Sequence, residues 1–254
     1  MNQEEHWLLE EKYRGEKCEA FLADCARLKA GEPLAYVIGH IPFLDCRIYL
    51  DSHPLIPRPE TEYWTAQAIE VIQDAAAASP RPLTILDLGA GSGAIGVAVA
   101  SALPDSYVTF AELDPTHLPT IKHNLRENLS IDRKVWEDRM TVLQSDLFTA
   151  VADTFDFILS NPPYIDPTID RTEAAVKAYE PHNALYGGQD GMELIQKIIT
   201  AGANHLNPHG QLWLEHEPEQ AELIHSLGES LHMHTNTHTD QYGQNRFSVL
   251  TMAK

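Results

Sequence analysis

Basic residues are scarce in this chain. Lys and Arg number 18 against 37 Asp and Glu, a formal charge of −19 over 254 residues. A protein whose main partner is a phosphate backbone carries a basic stripe. Here the cations are scattered, so no direct nucleic-acid binding is expected. Cysteine is scarcer still, with only Cys18, Cys25 and Cys46. An odd, sparse set without Cys-x-x-Cys excludes a disulfide framework and gives no zinc or redox motif. Cys18 and Cys25 share one helical face and read as small packing residues. Long apolar runs are missing, so no transmembrane helix is expected. Met1-Asn2-Gln3-Glu4-Glu5-His6 has neither the basic start nor the apolar stretch of a signal peptide. A cytoplasmic monomer without membrane contact is the expectation. Histidine is plentiful, with 13 residues. His232 and His234 alternate on one strand face, but no ligand spacing such as His-Glu-x-x-His occurs. No metal is expected.

What is present is a core and a rhythm. Hydrophobic residues make up 43%, enough for one large α/β domain. Residues His6 to Lys29 show helical spacing, divided near Gly15 and ended by Gly31. Tyr36-Val37-Ile38 and Phe43 to Leu50 are β-rich and read as a hairpin across Gly39 to Pro42. Pro59 can open a helix that runs to about Ala78. Strands and helices then alternate: strands at Thr84 to Leu88, Tyr107 to Glu112, Met140 to Leu143, Phe155 to Leu159 and Gln211 to Leu214. The last two strands, His232 to Thr237 and Arg246 to Met252, are joined by a turn and should be antiparallel. This predicts a Rossmann-like α/β fold, a seven-stranded, mostly parallel sheet with an antiparallel last strand. The expected division is a short helical segment (1–34), a hairpin linker (35–58) and a catalytic domain (59–254).

Asp87-Leu88-Gly89-Ala90-Gly91-Ser92-Gly93 follows the first sheet strand and opens a helix. Glycines turn sharply there and let a ligand approach the backbone. Such a loop serves NAD and S-adenosylmethionine alike. Asp87 is placed to receive a methionine ammonium, or else to serve the loop's own amides. Glu112 ends the second strand, where an acid can accept both ribose hydroxyls. Asp146 and Leu147, after the third strand, would reach an adenine.

Ser160-Asn161-Pro162-Pro163-Tyr164 follows the fourth strand, on the same side of the sheet. An amide or aromatic amino nitrogen is a poor nucleophile with two good N–H donors. The Asn161 side-chain oxygen can accept one and the Pro162 carbonyl the other, while proline holds both in place. Tyr164 can pack on the planar group. Positioning then supplies most of the catalysis, with no strong base needed. Dehydrogenases have no use for such a loop, so the expected cofactor is S-adenosylmethionine. Catalysis is assigned to Asn161, Pro162 and Tyr164. Cofactor binding goes to Asp87, Gly89, Ala90, Gly91, Ser92, Gly93, Glu112, Asp146, Leu147 and Asn161. Asn161, Pro162, Pro163 and Tyr164 would hold the substrate, with Arg58 and Glu60. Arg58 is either a substrate contact or a structural partner of Glu60 or Glu62.

Several ordered strings resemble one family from about Gly31 onward. They are Gly31 to Gly39, Ile56-Pro57-Arg58-Pro59-Glu60-Thr61-Glu62, Asp87 to Gly93, and Asn161 to Tyr164. Glu180-Pro181-His182-Asn183-Ala184-Leu185, Gly188 to Gly191 and Asp240 to Arg246 complete the set. The chain is similar to the protein-glutamine methyltransferases that modify peptide chain release factors. The resemblance implies S-adenosylmethionine-dependent methylation of the side-chain nitrogen (N5) of the glutamine in a Gly-Gly-Gln tripeptide, and so a part in translation termination. It implies a release factor as the protein partner. A sister group acts on a ribosomal protein and lacks the Pro-Glu-Thr-Glu string that Pro59 to Glu62 keep here. A nucleic-acid amino methyltransferase is the other alternative, opposed by the charge. Two departures stand out. Glu112 replaces the family's usual aspartate. The family's N-terminal helical domain is about twice as long as the roughly thirty residues before Gly31, a short segment by the measure of minimal domains.

Overall fold

The structure, a computed structural model, describes residues 1–129 and 137–252. It opens with helices α1 (Gln3–Glu11), α2 (Glu19–Lys29) and α3 (Leu34–Ile38). Asn2 caps α1 by accepting the Glu5 N–H, and the Glu5 carboxylate accepts the Asn2 N–H in return, so two orphan donors are satisfied. The expected break near Gly15 is there, with both Arg14 and Gly15 at positive φ. These helices close a small core of their own around Leu8, Phe21, Cys25, Leu28 and Val37, with Cys18 at its edge.

The strand expected at Tyr36-Val37-Ile38 is not formed; these residues are α3. Gly39, at φ 99, ends that helix in the left-handed region. Burial overrules β-propensity here. Val37 joins the helical core, and the Tyr36 hydroxyl donates to the Pro54 carbonyl at 2.6 Å. The hairpin starts later, with β1 (His40–Phe43) antiparallel to β2 (Cys46–Tyr49). Helix α4 (Pro59–Ala78) then begins on its proline as expected.

The main sheet holds β3 (Thr84–Leu88), β4 (Tyr107–Glu112), β5 (Met140–Gln144), β6 (Phe155–Ser160), β7 (Leu206–Glu215), β8 (Met233–Thr239) and β9 (Asn245–Met252). Its order is β5-β4-β3-β6-β7-β9-β8. Strands β3 to β7 are mutually parallel, and β9 runs antiparallel to both neighbours. The order reverses between β3 and β6, and ligands of such sheets lie beyond the strand ends at that point. Helices α5 (Ala94–Ala102) and α6 (Leu118–Asn128) follow β3 and β4. After β6 comes α7 (Ala174–Tyr179); it is short and buries no residue, so no apolar stripe announces it. Then come α8 (Glu193–His205) and, after β7, α9 (Ala221–Ser230). Strand β7 begins at Leu206 rather than Gln211. A register irregularity opposite Phe155 and Phe157 absorbs the unstrandlike Asn207 to Gly210.

One device docks the hairpin on this body. Asn124, fully buried on α6, accepts the Tyr49 N–H at 2.8 Å and donates to the Tyr49 carbonyl at 3.0 Å. It also donates to the Ser92 carbonyl at 2.9 Å. One turn on, Asn128 makes the same pair of bonds with Arg47. The two amides substitute for a neighbouring strand along the free edge of β2. Leaving a buried partner unpaired costs about 1–3 kcal/mol. Asn124→Ala should therefore lower the thermal midpoint by roughly 2–12 °C for a chain of this size. Asn128→Ala, at a half-buried position, should cost well under half of that. Scanning calorimetry of the two variants checks the ranking.

Candidate active site

The glycine loop leaves β3 with Gly89, Gly91 and Gly93 at φ 71, 55 and 80. A Cβ at Gly89 or Gly91 would meet nothing within 4 Å, so the loop borders open space. Gly96, in α5, is confined instead. A Cβ there would strike the Phe110 ring, and its N–H donates to Asp87 Oδ2 at 2.8 Å. Asp87 thus braces the helix from beneath and does not itself line the cleft. Its Oδ1 is buried with no hydrogen-bond partner among the described residues. Burial pushes its carboxyl up to about 8, opposed by the Gly96 N–H and reinforced by the charge of Glu112.

Glu112 stands at the end of β4 and accepts the N–H groups of Gly91 at 2.7 Å and Asp114 at 2.8 Å. It lines a cleft with Gly89, Ala90, Gly91 and Ser92, and with Asp146 and Leu147 beyond β5. Gly93 lies behind, against Ile121. Asn161 and Pro163 close the cleft on the β6 side. The strand ends thus bring these sequence-predicted residues to one place, with Asp87 and Gly93 behind the wall.

A second hollow lies on the other side of Asn161. Arg58, Pro162, Tyr164, Ile165 and Leu185 are among its walls. Leu55, Asn161 and Ala184 line both hollows. Arg58 pairs with neither Glu60 nor Glu62. Its guanidinium donates to Glu180 Oε1 at 2.8 Å, and Glu180 Oε2 accepts the Ile56 N–H at 3.0 Å. That contact joins the Ile56-to-Glu62 string to the Glu180-to-Leu185 string. Glu62 accepts the Leu44 N–H, and Glu60 lines neither hollow.

The Asn161-to-Tyr164 loop is held from behind. Ile165 N–H donates to Leu185 O, and Gly187 N–H to Ile165 O, both at 3.0 Å. A Cβ on Gly191, which has φ +66, would collide with the Tyr164 carbonyl. Gln220 Nε2 donates to that same carbonyl at 2.8 Å. Beneath the loop lies Glu215, fully buried at the end of β7. Its Oε2 accepts Thr61 Oγ1 at 2.7 Å and Trp64 Nε1 at 2.6 Å, and its Oε1 accepts the Tyr164 hydroxyl at 2.9 Å. Burial raises the Glu215 carboxyl above the ordinary range, against the lowering effect of those donors. Burial also holds the Tyr164 phenol well above its ordinary value, with Glu215 adding to the effect. Thr61 in turn accepts Asn161 Nδ2 at 3.0 Å. The Asn161 Oδ1 and the Pro162 carbonyl have no intramolecular donor among the described residues. The arrangement can present two fixed acceptors to one planar group.

Sequence reasoning missed Thr61, Trp64, Glu180, Gln220 and Glu215. One signal existed for the last: an acid closing the apolar run Leu212-Trp213-Leu214 on a central strand. Among the described residues, no group of His, Cys, Asp and Glu could hold a metal, and no helix is long and apolar enough to cross a membrane.

The methyltransferase small domain family matches residues 70–179. The release factor glutamine methyltransferase of Rhodopirellula baltica is 40% identical over 213 residues, covering 83% of this chain and 70% of that one. The protein of the same name from Lactococcus lactis is 31% identical over 243 residues, covering 94% and 84%. Among solved structures, the hMettl16 catalytic domain bound to a MAT2A 3′UTR hairpin superposes with a TM-score of 0.61. Its identity is 15%, over 82% of this chain and 75% of that one; it shares the fold. With identities of 40% and 31% to two such enzymes over most of their length, the chain belongs to the release factor glutamine methyltransferase family.

Proposed function

We propose that this chain uses S-adenosylmethionine to methylate the side-chain amide nitrogen of the glutamine in the Gly-Gly-Gln tripeptide of a peptide chain release factor, in the cytoplasm. The observation that carries the reading is Asn161 at the seam of two hollows, lining both. One hollow has the features a nucleoside-bearing cofactor needs, namely an open glycine loop and Glu112. The buried, unpartnered Asp87 Oδ1 suits a site completed by a cationic group nearby. The other hollow, walled by Pro162, Tyr164 and Leu185, has room for a narrow side chain.

The cofactor would supply an electrophilic methyl group at this seam, its sulfonium leaving as a neutral thioether as the N–CH3 bond forms; one proton of the methylated nitrogen then passes to solvent, and the protein supplies position. Asn161 Oδ1 accepts one amide hydrogen of the glutamine and the Pro162 carbonyl accepts the other. With both hydrogens held, the nitrogen lone pair points across the seam and pyramidalisation becomes easier. Glu112 would hold the ribose, while Asp146 and Leu147, which line the same cleft, would border the adenine. Arg58, tied to Glu180, shapes the substrate side.

Incubation with methyl-labelled cofactor and a release factor tests the reading. One methyl on the Gly-Gly-Gln glutamine is expected; label on oligonucleotides and none on the factor overturns it. Asn161→Ala should leave cofactor affinity nearly intact. Stripping one acceptor costs about 1–3 kcal/mol, so kcat should fall roughly ten- to a hundredfold. Unchanged turnover would falsify the role given to Asn161. A pH effect follows from Asp87. The folded chain keeps this proton up to about pH 8, whereas an unfolded aspartate releases it near 4. The folded state therefore binds more protons between these limits, and stability through this group falls as pH rises. In the cofactor-free protein, Asp87→Asn should flatten the decline of thermal midpoint between pH 5 and pH 8, values bracketed by about 4 and 8. Parallel slopes for the two proteins would refute it.

A further inference from the structure

An asparagine amide has nearly the same shape with its oxygen and nitrogen exchanged, so packing alone does not decide which end faces a substrate. Hydrogen-bond polarity must. Here it can be followed bond by bond. Glu215 is surrounded by donors: Trp64 Nε1 at 2.6 Å, Thr61 Oγ1 at 2.7 Å and the Tyr164 hydroxyl at 2.9 Å. The indole N–H can only donate, and an ionised carboxylate can only accept. Thr61 has one hydroxyl proton, and the carboxylate takes it. Toward Asn161, 3.0 Å away, the same oxygen is left with acceptor capacity only. The group it meets must therefore be the Asn161 NH2, which turns Oδ1 to the other side.

We propose that Glu215 is the positioning residue that fixes the polarity of Asn161. By accepting the Thr61 O–H hydrogen bond it obliges Thr61 to accept from the Asn161 amide, and so holds the Asn161 oxygen toward the nitrogen to be methylated. The proposal rests on the role given above to Asn161 Oδ1. Glu215 does not touch the substrate; it acts through Thr61, and it fixes Tyr164 directly. Loss of its charge removes the rule. A protonated Glu215 has a hydrogen to give; Trp64 cannot receive it, but Thr61 and Tyr164 can. If Thr61 receives it, the Thr61 proton turns to Asn161, the amide reverses, and a donor then faces the donors of the substrate.

The groups around Glu215 come from several elements. Thr61 and Trp64 belong to α4 and Tyr164 to the loop after β6. Arg246 of β9 favours the charged form, while burial opposes it. Glu217, just beyond β7, adds its charge on Tyr164. His216 is turned aside to Ser248 Oγ and the Glu217 carbonyl, both at 2.8 Å.

The test uses the full chain with S-adenosylmethionine and a release factor. Thr61→Val keeps the shape and removes the relay. Its kcat should fall roughly ten- to a hundredfold while cofactor Kd stays within about threefold, and Thr61→Ser should restore most of the loss. In the parent protein kcat should decline on the acid side, through a pKa above that of an ordinary glutamate. Glu215→Gln, which cannot ionise, should lose that acid limb. A readout without substrate accompanies these. The side-chain amide protons of Asn161, assigned by their disappearance in Asn161→Ala, should exchange with water about tenfold faster in Thr61→Val, as a lost hydrogen bond requires. Parent-level kcat or exchange in Thr61→Val, or an unaltered acid limb in Glu215→Gln, overturns the proposal. Should the parent protein fail to methylate the release factor, the functional reading falls, and the exchange measurement still decides the relay.

Discussion

A carboxylate without access to water governs this molecule's active end. Removing Glu215 from solvent costs several kcal/mol in any protein interior. Charge-assisted hydrogen bonds offset that cost only where donors are already aimed at it. Helix α4 provides two of them because Thr61 and Trp64 are three residues apart and share a face. Its register is set by Pro59 at the first turn and by the extended prolines before it. The third donor, the Tyr164 hydroxyl, requires the loop after β6 to run close over β7. Thus the helix start, the proline-rich entry and the loop are fitted to one buried group. A shift of any of them leaves a charge unpaired.

The loop's backbone is constrained as firmly as its side chains. Gly187 and Gly191 allow the Gly-rich segment to lie against Pro163 and Tyr164, where a Cβ would collide. Gln220 then bridges the carbonyls of Tyr164 and Asp190. Arg246 and Asp240, joined at 3.2 Å, lie next to the end of β7. Three separated segments of the sequence thereby converge behind the Asn161-to-Tyr164 loop. Acceptors held this way need little reorganisation when a substrate arrives, the condition under which positioning counts for catalysis.

What the sequence disclosed was what is local. The glycine loop follows β3 within a few residues, and its letters state the turn directly. Asn161 to Tyr164 sit at a strand end, so the alternation of strands and helices sufficed to bring them to the cleft. Pro59 marked its helix start. The relay was hidden because its partners are remote: Thr61 and Glu215 are 154 residues apart, and no periodicity relates them. Asn124 and Asn128 read as ordinary polar positions on α6, since nothing nearby shows that the edge of β2 will lie against them. For Arg58 the sequence offered a substrate contact or a neighbouring acid, Glu60 or Glu62; its partner Glu180 is 122 residues away. Tyr36 to Ile38 misled because their β-rich letters serve a helical core instead. Asp87 was legible as important, yet its place beneath the loop depends on Gly96 and Phe110 packing over it.

Strand β9 bears on when the site comes into being. Glu215 lies opposite Phe247 across the β7–β9 pairing, and the Phe247 ring stacks on Trp213 at 5.5 Å. During synthesis, the glycine loop, Thr61, Asn161 and even Glu215 leave the ribosome before β9 does. Without that strand β7 would be an open edge, and water would compete for the donors of the Glu215 carboxylate. A nascent chain therefore carries every residue of the relay before it carries the dry environment that gives the relay its direction. Completion of the sheet and commissioning of the catalyst are one event.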